Sequence, residues 1–353
     1  MELITDPALI TPEWLTEALK TSGLLPVEGR IISAEWENIG TGKMGDNARF
    51  RLCYDGNYKA PCTLIAKLPA ADETARTIAG GMGAYRKEVM FYQELAGVSS
   101  IRTPEIYLAL IDASGSNFIL LMEDLAPAKP GNQLASETIE HAKQALSEAS
   151  KLHAAFFGKD ELLARDYITH TDPDDAAMAQ DLLQQSWPGF VERFGHGLSA
   201  ECIALGEQYV ESHSQWVGHY QGQKTLVHGD FRAENMLFSE SGCTTIIDWQ
   251  TPMESCCMAD VAYFIAGSLD IDSRRAQEHE LVEHYRQCLN SKDVTLTQDE
   301  CWQLYREFSL HGLLITILGA MFSQAGERSD QMFLVMIQRH LQHAVDMSAA
   351  EFL

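Results

Sequence analysis

The sequence predicts an α+β chain of two lobes. Residues 1–125 form a small lobe built on an antiparallel sheet with one main helix, and residues 126–353 form a larger, mostly helical lobe. Three observations carry this. Short alternating or apolar runs at 31–37, 47–54, 62–68, 106–112 and 117–122 are separated by turn residues, which is strand and hairpin patterning. Past residue 136 the apolar residues recur at helical spacing, as in Ile139, Ala142, Ala145, Leu146, Ala149 and Leu152. Between them lies Ala126-Pro-Ala-Lys-Pro-Gly131, a proline-rich link that neither pattern continues through.

Composition sets the bounds. The 353 residues, 46% hydrophobic, are enough for a sizeable core and too apolar for disorder. A net charge of −24 argues against nucleic acid or an anionic membrane as partner. It is compatible with a cationic substrate, although an acidic surface that confers solubility is the simpler account. The eight cysteines form no C-x-x-C pair. With no secretory signal at the N-terminus, reduced thiols in a cytoplasmic protein fit this usage. Adjacent Cys256 and Cys257 read as small, partly buried side chains. The longest apolar run, Leu313–Phe322, is too short to span a bilayer and reads as a core helix.

Taken in order, Thr11-Pro12-Glu13 opens a helix and Gly23 ends it, with Trp14, Leu15, Ala18 and Leu19 on the apolar face. Strand 31–37 runs into Gly40-Thr-Gly42-Lys-Met-Gly45. A dinucleotide fingerprint would need a helix at once after these glycines. Residues 47–54 instead alternate and then turn at Asp55-Gly56-Asn57, so a phosphate-covering glycine hairpin is the better reading, with a plain tight turn as its rival. No Ser or Thr follows Gly42-Lys43, so a P-loop is not supported. In 62–68 the alternation puts Lys67 on one face with Ile65 and Thr63, where a lysine can reach phosphates. Residues 70–83, with Gly80, Gly81 and Gly83, read as a mobile loop. A helix over 85–95 carries Glu88 and Glu94 among Val89, Tyr92 and Leu95.

In the larger lobe Ser136 reads as a helix cap and His153 as a packed core histidine. Asp172-Pro-Asp-Asp175 reads as the start of a helix, and 160–220 as two helices broken near Trp187-Pro188-Gly189. Helices follow at 273–290, 298–325 and 330–347. The pairs His279/His284 and His340/His343 lack the further ligands a metal site needs.

The chemistry concentrates in Leu226–Gln250, LVHGDFRAENMLFSESGCTTIIDWQ. Two β-rich pieces hold a polar loop that presents His228, Asp230 and Asn235, and Asp248 sits just past the second piece. Phosphoryl transfer needs a carboxylate to accept a hydroxyl proton and hard oxygen ligands for Mg²⁺. Asp230 suits the first task; Asn235 and Asp248 suit the second. Arg232 could stabilise charge developing on the γ-phosphate, or could simply pair with Glu234.

His228-Gly-Asp230-x4-Asn235 followed by Ile-Ile-Asp248-Trp-Gln resembles the catalytic loop and metal aspartate of the aminoglycoside phosphotransferase/choline kinase-like superfamily. The H-G-D-F-R-x-E-N form resembles its ecdysteroid-kinase-like or acyl-CoA dehydrogenase-associated branches more than the resistance enzymes. The chain departs from the protein-kinase pattern at Gly229 and at Trp249-Gln250, which points toward small-molecule kinases. The resemblance covers most of residues 30–270. It implies a protein-kinase-like bilobal fold, with ATP and Mg²⁺ as cofactors and a small-molecule hydroxyl as acceptor. By it, Gly40, Gly42 and Gly45 cover the phosphates, and Lys67 is paired by Glu88, with Glu94 the competitor. It places the Glu123 carbonyl and Leu125 N–H against adenine, with Met122 lining the base pocket. It makes His228 and Asp260 structural supports of the loop, and converges Asp230, Asn235 and Asp248 on one Mg²⁺–triphosphate.

The rivals are a kinase-like nucleotide-binding module without catalysis, a protein kinase and a Rossmann oxidoreductase. The first would be expected to lose Asp230, Asn235 or Asp248, and all are present. The second would want an activation segment, yet only about a dozen residues separate Asp248 from Asp260. The third needs a helix at Asn47.

Overall fold

The structure is a computed structural model that describes residues 1–40, 44–323 and 326–353. The chain divides into two units. The first comprises Met1–Val98, Arg102–Pro127 and Ile247–Pro252; the second comprises Ser99–Ile101, Ala128–Ile246 and Met253–Leu353.

The first unit opens with α1 (Pro12–Thr21), where the Thr11 hydroxyl accepts from the Trp14 N–H and a proline fills the first turn. Five strands follow: β1 (Ile31–Ile39), β2 (Gly45–Tyr54), β3 (Thr63–Pro69), β4 (Ile106–Ile111) and β5 (Phe118–Glu123). They form one sheet in the order β1-β2-β3-β5-β4, antiparallel throughout. The period of two in β3 decides what lies on each face. Leu64, Ala66 and Leu68 join Phe50 and Leu52 in a core closed by Leu15, Ala18 and Leu19 of α1. Ile65 faces the other way, into a second core with Phe118, Leu120 and Met122. Lys67 is two residues on from Ile65 and shares that second face.

That second face is closed by α2 (Glu73–Gly81) and α3 (Ala84–Met90), which continues as a single wider turn over Phe91–Leu95. Here the expected mobile loop at 70–83 is overturned. Asp72 caps α2 by accepting from the Ala75 N–H, Glu73 complements its dipole, and Ala79 is buried in the second core. The glycines end this helix rather than loosen the whole segment. Gly83, at φ +69°, makes the left-handed turn into α3. Because β2 starts at Gly45 and pairs with β1, the run after the glycines is strand, and the Rossmann reading is excluded.

The second unit is helical. It contains α4 (Ile139–Phe156), α5 (Asp160–Leu163), α6 (Pro173–Phe194), α7 (Ala200–His219), α8 (Met258–Ser268), α9 (Ile271–Asn290), α10 (Gln298–Glu307), α11 (His311–Phe322) and α12 (Glu327–Asp346). Short strands interrupt them: β6 (Lys129–Pro130), β7 (Thr225–Val227), β8 (Met236–Phe238), β9 (Thr244–Ile246) and β10 (Met253–Ser255). These pair as β6-β8-β9 and β10-β7.

Three boundaries differ from expectation. The cap of α4 is Thr138, whose hydroxyl accepts from His141 N–H, while the Ser136 hydroxyl accepts from Asp270 N–H instead. The helix α6 runs unbroken through Pro188. The proline removes one backbone bond, but Leu183, Trp187, Phe190 and Phe194 form a buried stripe whose burial offsets that loss. Trp187 lies so close to α7 that a Cβ at Gly206 would come within 2.2 Å of its ring. The expected helix 298–325 divides at Phe308–Leu310, where the Ser309 hydroxyl bonds the Arg306 carbonyl. At the centre of the unit, all eleven residues of α8 are buried. Among the described residues no helix is long and apolar enough to cross a membrane. All eight cysteines are free thiols.

Candidate active site

In the first unit the site is built around Lys67. Its Nζ donates to Glu88 Oε1 at 2.7 Å and to Asp248 Oδ1 at 2.8 Å. Lys67 comes from the α3-facing side of β3, Glu88 from the buried side of α3, and Asp248 from the segment just after β9. Glu88, not Glu94, is therefore the partner, and it is 1% exposed. Burial alone would lower the Lys67 ammonium, but the Asp248 and Glu88 carboxylates outweigh it and hold the group protonated, above its ordinary value. Burial pushes the Glu88 carboxyl up, against the pull of Lys67 and with Asp248 adding to the rise.

Trp249 and Gln250 explain the departure from the protein-kinase motif. Trp249 is fully buried and stacks on Phe91 at 3.7 Å and 6°. Gln250 Nε2 donates to Glu88 Oε2 at 3.3 Å. Together they hold the segment that carries Asp248, and this is why it groups with the sheet although the sequence suggested a division at 125/126. Asp248 itself sits at φ +65°, a conformation rare outside glycine and concentrated at functional sites.

The remaining positions of this unit fall as follows. Gly45 lies in β2, where a Cβ would come 3.0 Å from the Leu68 carbonyl oxygen, so close strand packing beside the Lys67 stem already favours glycine. Gly40 turns at φ +74°, and Gly42 lies outside the described residues. Met122 is buried in the second core. Glu123 ends β5, its N–H donating to the Glu105 carbonyl and its carboxylate held by Arg102 at 2.8 Å. Leu125, half-buried, follows Asp124, which Arg49 grips through two bonds of 2.8 and 3.1 Å.

In the second unit β7 delivers the chain into His228-Gly-Asp230. Gly229 adopts φ +82°, which accounts for glycine where protein kinases have arginine. Asp260, in the first turn of α8, accepts from the backbone N–H of His228 at 2.8 Å and of Gly229 at 3.1 Å. His153 Nε2 lies 3.1 Å from the same carboxylate, and its Nδ1 lies 2.7 Å from the Tyr285 hydroxyl. Burial would raise Asp260, but these bonds and the nearby histidines outweigh it and hold the carboxyl below its usual range. The His228 ring also joins the loop, its Nδ1 accepting from Asp230 N–H at 3.3 Å. Phe231, fully buried near Phe264, anchors the turn from below.

Asp230 is held on both oxygens. Oδ2 accepts from Asn235 Nδ2 at 2.9 Å and from Arg232 Nε at 3.1 Å, while Oδ1 accepts from the Tyr263 hydroxyl at 3.0 Å. Asn235 Nδ2 also donates to the Asp230 carbonyl, which turns the amide oxygen the other way. Arg232 further pairs with Glu234 at 3.2 Å, as its alternative reading expected. Sequence reasoning undervalued His153 and missed Tyr263, Tyr285 and Gln250. His153, Tyr263 and Tyr285 lie on buried helix faces and Gln250 follows buried Trp249, and only their partners mark them.

Each unit presents a hard oxygen donor of the kind a divalent cation takes: a carboxylate at Asp248, 37% exposed, in the first, and an amide oxygen at Asn235 in the second. Among the described residues no three His, Cys, Asp or Glu side chains form a metal cage by themselves.

The fold and catalytic loop define a kinase-like phosphotransferase. The profile of the ecdysteroid kinase-like family matches residues 48–296, well over half of the chain, and the chain belongs to that family. No curated protein matches by sequence. Among solved structures, a choline kinase from Cryptosporidium parvum Iowa II is similar over 96% of this chain and 97% of its own, with a TM-score of 0.58 and 10% identity. A spectinomycin phosphotransferase, solved with ADP and spectinomycin, covers 96% and 98% at a TM-score of 0.56 and 14% identity. An ethanolamine kinase from Plasmodium vivax covers 90% and 82% at 0.51 and 13%. At such identities the likeness is one of fold.

Proposed function

We propose that the chain transfers the γ-phosphoryl group of ATP, with Mg²⁺, to a hydroxyl group of a small molecule, as a cytoplasmic enzyme. The observation that carries this is Lys67 held between Glu88 and Asp248, an ammonium kept charged and aimed where nucleotide phosphates would need it. In this reading the acceptor oxygen bonds to the γ-phosphorus, the bond from that phosphorus to the bridging oxygen breaks, and ADP leaves. Asp230 takes the hydroxyl proton. Asn235 and Asp248 hold Mg²⁺, which neutralises phosphate charge when bound. Lys67 and the glycine hairpin, including Gly40, Gly42 and Gly45, position the phosphates. The Glu123 carbonyl and Leu125 N–H meet adenine beside Met122. Arg232 leaves Glu234 to meet the transferring group, while His228 and Asp260 keep the loop in shape.

The test is ADP release from ATP across a library of hydroxyl compounds, with steroid alcohols, amino alcohols, sugars and aminoglycosides in separate arms. Acceptor-dependent ADP release that stops on chelation of Mg²⁺ and in D230N is expected. ADP release that no acceptor stimulates, or that survives D230N, would remove the proposal.

A further inference from the structure

We infer that Tyr263 is the positioning residue for Asp230: its phenol fixes the rotation of the carboxylate so that one oxygen lone pair stays aimed for a proton. The inference rests on Asp230 being the proton acceptor and adds a residue to that site.

The terminal torsion of an aspartate is broad and roughly two-fold, so donors on one oxygen alone leave the other free to swing. Arg232 and Asn235 both donate to Oδ2. Tyr263 reaches the other oxygen, Oδ1, at 3.0 Å. With donors on both oxygens the carboxylate plane is locked, and Oδ1 keeps a second lone pair for the hydroxyl that loses its proton. A merely packed tyrosine would not need this direction.

The ring is itself held rigidly. Tyr263 is 2% exposed, stacks on His340 of α12 at 5.0 Å and 7°, and meets the edge of His311 of α11 at 6.0 Å and 88°. His340 is pressed against α11, where a Cβ at Gly312 would come 2.4 Å from its ring. The plate behind the tyrosine therefore cannot shift without moving a helix. Burial, and then the charge of Asp230, push the Tyr263 phenol well above its ordinary value, so it remains a donor under all working conditions. Burial lowers both His340 and His311, so the rings behind the tyrosine are disfavoured as cations.

The test uses the full chain with MgATP and water as the acceptor, reading ADP formation and MgATP affinity. Four variants are compared: D230N, Y263F, Tyr263→4-fluorophenylalanine and Tyr263→3-fluorotyrosine. The 4-fluorophenylalanine fills the hydroxyl's space without donating a proton. The two non-donating Tyr263 variants are expected to lose roughly ten- to a hundredfold in turnover, the weight of one hydrogen bond to a charged group, with MgATP affinity unchanged. Tyr263→3-fluorotyrosine, which keeps the donor, is expected to restore turnover. Wild-type turnover in either non-donating variant would overturn the inference. So would a loss in Y263F that the volume-filling 4-fluorophenylalanine repairs, since that marks packing alone. If D230N turns over as the wild type does, the fault lies with Asp230 as acceptor; if D230N is inactive and the Tyr263 variants are not, it lies with Tyr263.

Discussion

The candidate-site carboxylates of the sheet unit and of the helical unit are held by different means. In the sheet unit Glu88 and Asp248 share one ammonium, Lys67. In the helical unit Asp260 is held by two backbone N–H groups and a histidine, and Asp230 by a phenol and an amide as well as an arginine. An ammonium holds charge without fixing direction and can be shared with an incoming phosphate. Neutral donors fix direction without supplying charge. The first arrangement suits binding an anion; the second suits aiming a base. The histidines divide the same way: residues 1–127 contain none, and all twelve lie in 128–353.

This contrast can be broken or sharpened by experiment. The largest effect is expected from D230N, which removes the proton acceptor and should lower turnover roughly a hundred- to ten-thousandfold, read as ADP formation. Next is Asp260→Ala, which leaves two backbone donors and His153 without their buried acceptor. It should cost about 3–5 kcal/mol of stability in denaturant unfolding, and a loss below 1 kcal/mol would show that the loop is not hung from this carboxylate. Third is an acid weakness confined to the helical unit. Burial pushes His213 down to about 4 and His340 down to about 3. Their folded values lie below the unfolded one near 6.5, so the stability they contribute is complete above about pH 6.5 and is lost as pH falls from there toward 4. By pH 5 that is about 2 kcal/mol for each group. Hydrogen exchange should rise first in α7, α11 and α12, and an equal rise in the histidine-free sheet would contradict it. Smallest is Thr138→Ala, which removes the cap of α4 and should lower stability by about 1 kcal/mol.

The legibility of the chain follows the same division. The sheet was readable because its signals are local: β3 alternates, so the face that carries Lys67 follows from counting, and Glu88 sits four residues into a helix with apolar neighbours. The loop at 226–250 was readable because its chemistry is contiguous. What was not readable depends on distant partners. Residues 70–83 look like a glycine-rich loop until Ala79 finds the second core. Pro188 looks like a break until the buried stripe around Trp187 outweighs one lost bond. His153 and Tyr263 look like core residues, and they are. Their polar atoms matter only because Asp260 and Asp230, 107 and 33 residues away in sequence, lie within reach.

The division of labour between an anion-binding lysine and an aimed aspartate is tested most directly by titration calorimetry of MgATP with Lys67→Ala and D230N. The account predicts that Lys67→Ala loses most of its affinity for MgATP, whereas D230N binds it as the wild type does and forms no ADP. Equal loss of affinity in the two variants, or undiminished ADP formation in D230N, would contradict it.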